Sequence, residues 1–548
     1  MSRYTVSGAK HNRRYELNMP LAGAQRTICK DAEFTSLLME TFIGGDEGMP
    51  VPTIACDNDF PSVAPLPGSY EILCRTLTCI IRSKDRAGLV YAYGTLGQVH
   101  RNHENSGQIF AEGLRIADYP SFPHRGLLID TGKRYLSLQD IRQTLKLMAS
   151  VKMNVLHWHL TDDVSFSVNV KQFPRLQKGN PSPFRYSAED ISEVIQYADQ
   201  YAIVVIPEID VPGRTQSWIR GYPFLKGDAA YYMDPTSRMT RDMVVGVVMR
   251  VADMFGESRP DKKVLHLGGS AVGKAWDTKA LEDWTRKYGK FHNKTDLINA
   301  WLRSVVARVK RHTDAEIMMW DDFLLEGAAV LTPVDTWQIL NHNMEETLKL
   351  ALSGRFKSLV YSTDFVLSDL GTGYGNDWTK FYDVKFKGDR GGVIKGGEAV
   401  VWGRLKCLEI DNLMVMNTAG TDRIRAVREV DFVSTVSQSQ NTASQILGWN
   451  FLTRTLHLEV TAAVAERLWC ADGAICPSDH TWAVNRLARW RCYATRWLLG
   501  FKGPGDIYPV GNAKDCSSAG RFFWDDPYVD QWWCPEWDKP SPGGDVCS

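Results

Sequence analysis

The sequence predicts a (β/α)8 (TIM) barrel, preceded by a small α/β domain and followed by a Cys/aromatic-rich C-terminal extension. Three observations carry this expectation. At 548 residues the chain holds a barrel of about 250 residues or more with room to spare. After Pro123, short apolar runs alternate with helical patterns, the signature of βα units and a parallel sheet. The last eighty residues hold Cys470, Cys476, Cys492, Cys516, Cys534 and Cys547 in an aromatic context.

Taken in order, residues 1–120 mix apolar runs such as CIIRS and GLVYAYGTL with Pro/Gly-rich loops, and read as the N-terminal α/β domain. Residues 121–480 form the expected barrel. Its candidate strands are RGLLIDT, NVLHWHL, AIVVIPEID, KVLHLGG, EIMMWDD, VDTWQIL, SLVYST and EAVVWG. Between strands, Ser137-Leu138-Gln139-Asp140 and Ser187-Ala188-Glu189-Asp190 read as N-cap boxes. Ile141, Leu145 and Met148 lie behind the first and Ile191, Val194, Ile195 and Ala198 behind the second, each set an apolar stripe for the barrel wall. Residues 481–548 form a C-terminal helix and a Cys/Trp-rich tail. Polar or aromatic residues end several strands, namely Asp130, Asp162-Asp163, Glu208–Asp210, Ser270, Trp320-Asp321-Asp322 and Trp402. A barrel gathers strand C-termini around one mouth, where function sits.

Composition narrows the class. Apolar residues make up 44% and charged residues 23%, the profile of a soluble globular protein. Lys plus Arg and Asp plus Glu are both 64, so nothing points to nucleic acid, and no run of about 18 apolar residues predicts a membrane span. The N-terminus lacks the apolar stretch of an intact secretory signal. The cysteines pull the other way: seven of eleven lie at or beyond Cys407, which suits disulfides and an oxidising compartment, with buried free thiols as the alternative. Asn293-Lys294-Thr295 is a glycosylation triplet, and with the cysteines it makes a glycoprotein of the secretory pathway the expectation.

Six ordered motifs resemble one family. HRGLLIDTGKRYL is similar to the first barrel strand of the β-N-acetylhexosaminidases of glycoside hydrolase family 20, and NVLHWHLTDD to their second. VIPEIDVPGRTQSW resembles their E-x-D-x-P-G-H segment, HLGGSAV their H-x-G-G-D-E, and GGEAVVWGR their G-G-E-x-x-x-W-x-E. AAVAERLW resembles a segment after the eighth strand, and Cys492 and Cys516 a cysteine pair of animal members. The resemblance covers roughly residues 65 to 516. It implies substrate-assisted removal of terminal N-acetylhexosamines, in which the sugar's 2-acetamido oxygen is the nucleophile. An Asp orients that amide and the adjacent Glu protonates the leaving oxygen.

Carried onto this chain, the resemblance splits. Arg125 matches the sugar-binding arginine, Asp162 the aspartate ending strand two, and Trp320, Trp337 and Trp402 the tryptophans that box the sugar. Ser270 and Ala271 stand where the catalytic Asp and Glu belong, Arg214 replaces the His of P-G-H, and Arg404 replaces a hydroxyl-binding Glu. The family tyrosine is also missing, with Val366 or Leu367 at its place. Alanine cannot act as a general acid, a role worth about 10²–10⁴-fold in rate. Serine supplies no charge to a developing cation, and arginine, always protonated, cannot mimic a neutral imidazole. The four replaced positions move from net −3 to net +2, so an acidic glycan is the expected ligand if Arg125, Arg214 and Arg404 converge.

The resulting expectation is a pseudoenzyme with a glycan-binding or structural role and no catalytic residue. A trapping mutation would change one or two residues and would not explain Arg214, Arg404 and the missing tyrosine together. The alternatives are a divergent glycosidase using Asp321, Asp322 or Asp369 as acid, and a structural subunit of a larger complex. No cofactor or metal is expected. His157 and His159 face one way along a strand and read as hydrogen-bonded wall residues rather than ligands. Trp524, Trp532, Trp533 and Trp537 offer a protein-partner surface, or pack on their own barrel.

Overall fold

The computed structural model describes residues 53–54, 67–75, 78–83, 85–101, 114–133, 135–179, 185–227, 233–256, 263–270, 276, 282, 285–286, 289, 294–327, 333–367, 378–386, 392–402 and 461–469. The first sheet runs in the order β1 (Thr53–Ile54), β3 (Thr78–Ser83), β2 (Tyr70–Arg75), β4 (Arg115–Asp118). β2 pairs antiparallel with both β3 and β4. Here the GLVYAYGTL run is helical, as part of α1 (Arg86–Arg101), with Leu89, Val90, Tyr93 and Leu96 buried.

All eight expected barrel strands are present. They are β5 (His124–Asp130), β6 (Val155–Thr161), β7 (Val204–Ile209), β8 (Val264–His266), β9 (Glu316–Trp320), β10 (Thr336–Ile339), β11 (Ser358–Tyr361) and β13 (Ile394–Val401); the two-residue β12 (Val366–Leu367) is not a stave. Neighbours pair in parallel from β5 round to β11. β13 closes the ring by pairing with both β11 and β5. The helices between staves include α2 (Leu138–Ser150), α3 (Ala188–Gln200) and, after the short α4 (Gln216–Gly221), α5 (Arg238–Phe255). Ser137 caps α2 by accepting from the Asp140 amide, and Ser187 with Asp190 forms a complete capping box on α3. The predicted stripes are buried, except that Ile195 is only half-buried.

Alternation along the staves sorts the side chains. On β6, Trp158 points outward, where its ring meets Tyr186 and Phe255, while His157 and His159 point inward. The inward residues form layers. Val155, Ile206, Val264, Met318 and Val360 pack as an apolar floor. Above it lie polar residues, and above those the mouth.

The small sheet and the barrel belong to one compact unit that also holds, among the described residues, 464–469. Arg125 and Lys152 fasten them. The Lys152 ammonium is bonded to Asp118 of β4 at 2.7 Å and lies 4.5 Å from the Trp469 ring centroid. The Trp469 indole donates to the other Asp118 oxygen at 2.8 Å. The first unit also holds α6 (Lys294–Trp301), α7 (Ala307–Thr313), α8 (Asp322–Leu325) and α9 (Met344–Leu352); a second unit includes, among the described residues, the short α10 (Trp378–Tyr382).

Candidate functional site

Inside the barrel, histidines and carboxylates alternate in a chain of short contacts that runs from the start of β5 to the mouth. His124 Nε2 lies 2.6 Å from Glu398 Oε1, and Glu398 Oε2 lies 2.8 Å from His157 Nδ1. His157 Nε2 is 3.1 Å from Glu208, whose Oε2 is 2.6 Å from His159 Nδ1. His159 Nε2 then lies 3.2 Å from Asp162 at the mouth. Gly126 makes room for this chain, because a Cβ there would come within 2.4 Å of Glu398 Cγ. Gln338 donates to Glu398 at 2.7 Å and Trp320 to Glu208 at 2.6 Å, so both carboxylates are well occupied.

Burial alone would neutralise His157, His159, Glu208 and Glu398; alternation of their charges prevents it. Burial works against charge on His157, but Glu398 and Glu208 outweigh it and push its pKa up to about 9. His159 is raised well above the ordinary value in the same way, chiefly by Glu208 and Asp130. Against burial, the histidines hold Glu208 and Glu398 well below the carboxylate range. His266 differs. Its pKa is lowered, first by burial, and its Nδ1 accepts from the Gly268 amide at 3.1 Å, as a neutral ring does.

Lys133, Asp210 and Asp163 shape the mouth. Lys133, three residues past Asp130 in the loop after β5, bonds Asp130 at 2.7 Å and Asp162 at 2.8 Å. Its ammonium also lies 4.6 Å from the Trp402 ring centroid. Asp210, just beyond β7, accepts from the Gly269 amide at 2.9 Å, the Ser270 amide at 3.2 Å and the Ser270 hydroxyl. Burial, then the nearby Glu208 charge, pushes the Asp210 pKa up to about 8. Gly268 adopts φ +61°, and a Cβ there would meet Asp210 Oδ1 at 2.0 Å, so this glycine permits the close approach. Asp163 has its pKa raised by burial and by Asp162, and keeps 27% of its side chain exposed.

Two of the expected sugar-binding residues are misplaced. Arg125 is not at the mouth: it sits at the N-terminal end of β5, the opposite end of the barrel. Its guanidinium donates to the carbonyls of Lys152 and Phe122 and to the Tyr91 hydroxyl, at 2.8, 2.7 and 2.9 Å. It also packs on the Trp469 ring at 5.1 Å. The physical reason is strand direction: residues that begin a stave cannot reach the mouth that its end builds. The cation that strand one delivers there is Lys133, signalled in sequence only by its spacing from Asp130. Trp337 is also corrected. Gln338 points inward to Glu398, so Trp337 beside it points outward and is buried behind the wall. Leu340 instead joins Trp320 and Trp402 in an apolar cluster with Leu128, Val400 and Val366.

The other expected residues are placed as follows. Asp162 is buried at the mouth and engaged by His159 and Lys133. Trp320 is fully buried, and Trp402 is half-buried at the rim. Their ring centroids are 5.9 Å apart at 49°. Two rings sandwiching a sugar need about 7–8 Å, twice an ordinary carbon contact, so no slot lies between this pair. Arg214 has φ +52°, is 42% exposed and reaches toward Asp163 at 3.8 Å. Ala271, Arg404 and Asp369 lie outside the described residues, as do the C-terminal cysteines and the tail tryptophans. The proposed convergence of three arginines therefore loses Arg125, and the structure describes only Arg214 of the other two.

The alternative acid Asp321 is fully buried and accepts from the Leu340 and Asn341 amides, the Asn341 side chain and His342. Asp322 accepts from Asn341 as well. Among the described residues, two sets have donor spacing suited to a metal: His157, Glu208 and His266, and Asp130, His159 and Asp162. Hydrogen bonds within the chain already engage Glu208 and both histidines of β6, and Lys133 stands against the second set.

The comparisons agree with this architecture. The profile described as "Glycosyl hydrolase family 20, catalytic domain" matches residues 122–448. The chain is 31% identical over 377 residues to the β-hexosaminidase subunit alpha of Rattus norvegicus, covering 64% of this chain and 69% of that protein. It is 31% identical over 370 residues to the subunit beta of Homo sapiens, covering 64% of each. The chitobiase of Flavobacterium johnsoniae superposes with a TM-score of 0.63 at 19% identity, over 90% of this chain and 72% of that one. The Streptomyces plicatus N-acetyl-β-hexosaminidase bound to thio-NAglucal gives 0.62 at 17% identity, over 93% and 96%. At such identities the structures speak for the fold alone, but the profile covers more than half the chain. With five of the six ordered motifs at the staves of a closed barrel, this chain belongs to glycoside hydrolase family 20 and is a β-N-acetylhexosaminidase-like protein.

Proposed function

We propose that this chain is a catalytically inactive relative of the β-N-acetylhexosaminidases, retained for glycan binding or for assembly with another chain. The observation that carries the reading is Ser270. It takes the first of the two family acid positions, and its hydroxyl is committed to Asp210. The next residue, Ala271, has no ionisable group. Substrate-assisted chemistry needs both a negative group on the acetamide and a proton donor on the leaving oxygen, and residues acting as a unit fail together. An aryl N-acetylglucosaminide assay between pH 4 and 8 tests this. No turnover above background is expected; turnover of about 1–10³ s⁻¹, ordinary for enzymes, overturns it.

One observation favours a second reading, a divergent glycosidase. Asp163 is a partly exposed carboxyl at the mouth whose pKa is raised, as a general acid requires. If turnover is found, its loss in Asp163→Asn assigns the acid. Asp321 suits that role less, because donors surround its carboxylate. A secretory, lysosomal or extracellular setting, C-terminal disulfides, a glycan on Asn293 and a partner at the aromatic tail belong to the same proposal. Non-reducing peptide mapping of secreted protein tests the first three, and pull-down with and without residues 521–548 tests the last.

A further inference from the structure

We propose that Lys133 is a built-in ligand: its ammonium fills a carboxylate–aromatic cation site at the mouth and is thereby withheld from recruiting an acidic glycan. Three contacts define the site. Asp130 and Asp162 hold the ammonium at 2.7 and 2.8 Å, and the Trp402 ring lies beneath it at 4.6 Å. Only 17% of the lysine side chain is exposed. Asp130, Asp162 and His159 offer ligand atoms close enough together to hold a metal ion, and the ammonium is bonded to both carboxylates of that set.

The lysine and its surroundings fit each other chemically. A carboxylate pair beside an aromatic face recognises a cation by charge and by the ring quadrupole. Asp162 is shared with His159, so an uncompensated pair would put two buried negative charges beside Glu208. A tethered ammonium has a high effective concentration, so a free cation competes poorly with it. This inference goes beyond the inactive-scaffold reading and does not depend on it, because it concerns who occupies the mouth and not whether bonds break.

The test uses the full chain and three probes. In Lys133→Ala, checked for folding by circular dichroism, Co²⁺ should bind at one ion per chain at least tenfold more tightly than in wild type. The visible spectrum of the bound ion should report His and carboxylate ligands. Equal Co²⁺ binding in wild type, or none in a folded variant, overturns the proposal. Wild type provides an arm that needs no variant. Reductive methylation at pH 8 should modify Lys133 at least tenfold more slowly than Lys349, which is 70% exposed; equal rates overturn the proposal. N-acetylglucosamine 6-sulfate should bind wild type no more tightly than N-acetylglucosamine. Tenfold tighter binding of the sulfated sugar that Lys133→Ala abolishes would overturn it. None of these readouts is turnover, so failure here and failure of the inactive reading are told apart.

Discussion

Arg125→Met separates a fastening role from a sugar-binding one. The guanidinium makes three short hydrogen bonds, two of them to backbone carbonyls that the methionine leaves without a partner. Hydrogen bonds to a charged group contribute about 1.5–3 kcal/mol each. Against this, burial of the charge is costly, and burial lowers the Arg125 pKa. The balance, for a buried charge with its partners stranded, is a loss of roughly 3–5 kcal/mol. For a domain of this size that corresponds to a drop on the order of 10 °C in melting temperature. The assay is thermal unfolding followed by near-UV circular dichroism, alongside titration with N-acetylglucosamine. A melting temperature within 2–3 °C of wild type (roughly 1 kcal/mol) with altered sugar affinity would refute the reasoning, since a mouth residue behaves in that way.

Other expectations follow from the same geometry. Stability should peak near about pH 5 and fall toward pH 9. The folded-state pKa of His157 lies near 9 against 6.5 unfolded, so its contribution is complete below 6.5 and lost as pH rises through 9, roughly 3 kcal/mol in all. Asp210, raised to about 8 from 3.8, acts in the same direction, while Asp162, Glu208 and Glu398 are lowered, so their contribution is lost below about pH 4. Denaturant titrations across pH 4–9 check this; a flat profile above pH 6 contradicts the charge alternation. Trp337→Ala should cost about 3–5 kcal/mol of stability and leave any glycan affinity unchanged, as calorimetry and binding on one sample would show. Gly126→Ala should displace Glu398 and lower the melting temperature, and an unchanged melt would mean the Glu398 side chain has another place to go. Restoring Ser270→Asp with Ala271→Glu should leave turnover below one-hundredth of an ordinary glycosidase, about 10² in rate, since Lys133 and Arg214 still occupy the mouth.

The motifs carried a great deal. Apolar runs of strand length, spaced by capped helices such as Ser187–Asp190, specified eight staves because burial on both faces of a parallel sheet leaves little choice of residue. The proposal of vacated acid positions likewise rests on sequence, because Ser270 and Ala271 lack ionisable groups in any fold. Whether a residue faces the mouth was not legible from motif membership. Arg125 and Lys133 lie in one stretch of sequence, yet about 3.3 Å of rise per residue separates them by the length of a stave. Trp337 and Gln338 are neighbours on opposite faces of a stave, and a one-residue difference in phase exchanges wall for pocket. Charge was the last thing settled. A sequence tally counts arginines, but the field at a mouth depends on which cations are already paired. By itself, then, the sequence determined the barrel and the family, and put Ser270 and Ala271 into the motif that resembles H-x-G-G-D-E. The tertiary structure decided the rest: it sent Arg125 to the far end, turned Trp337 outward and set Lys133 between two aspartates. Direction along a strand and pairing across it exist only once the sheet closes.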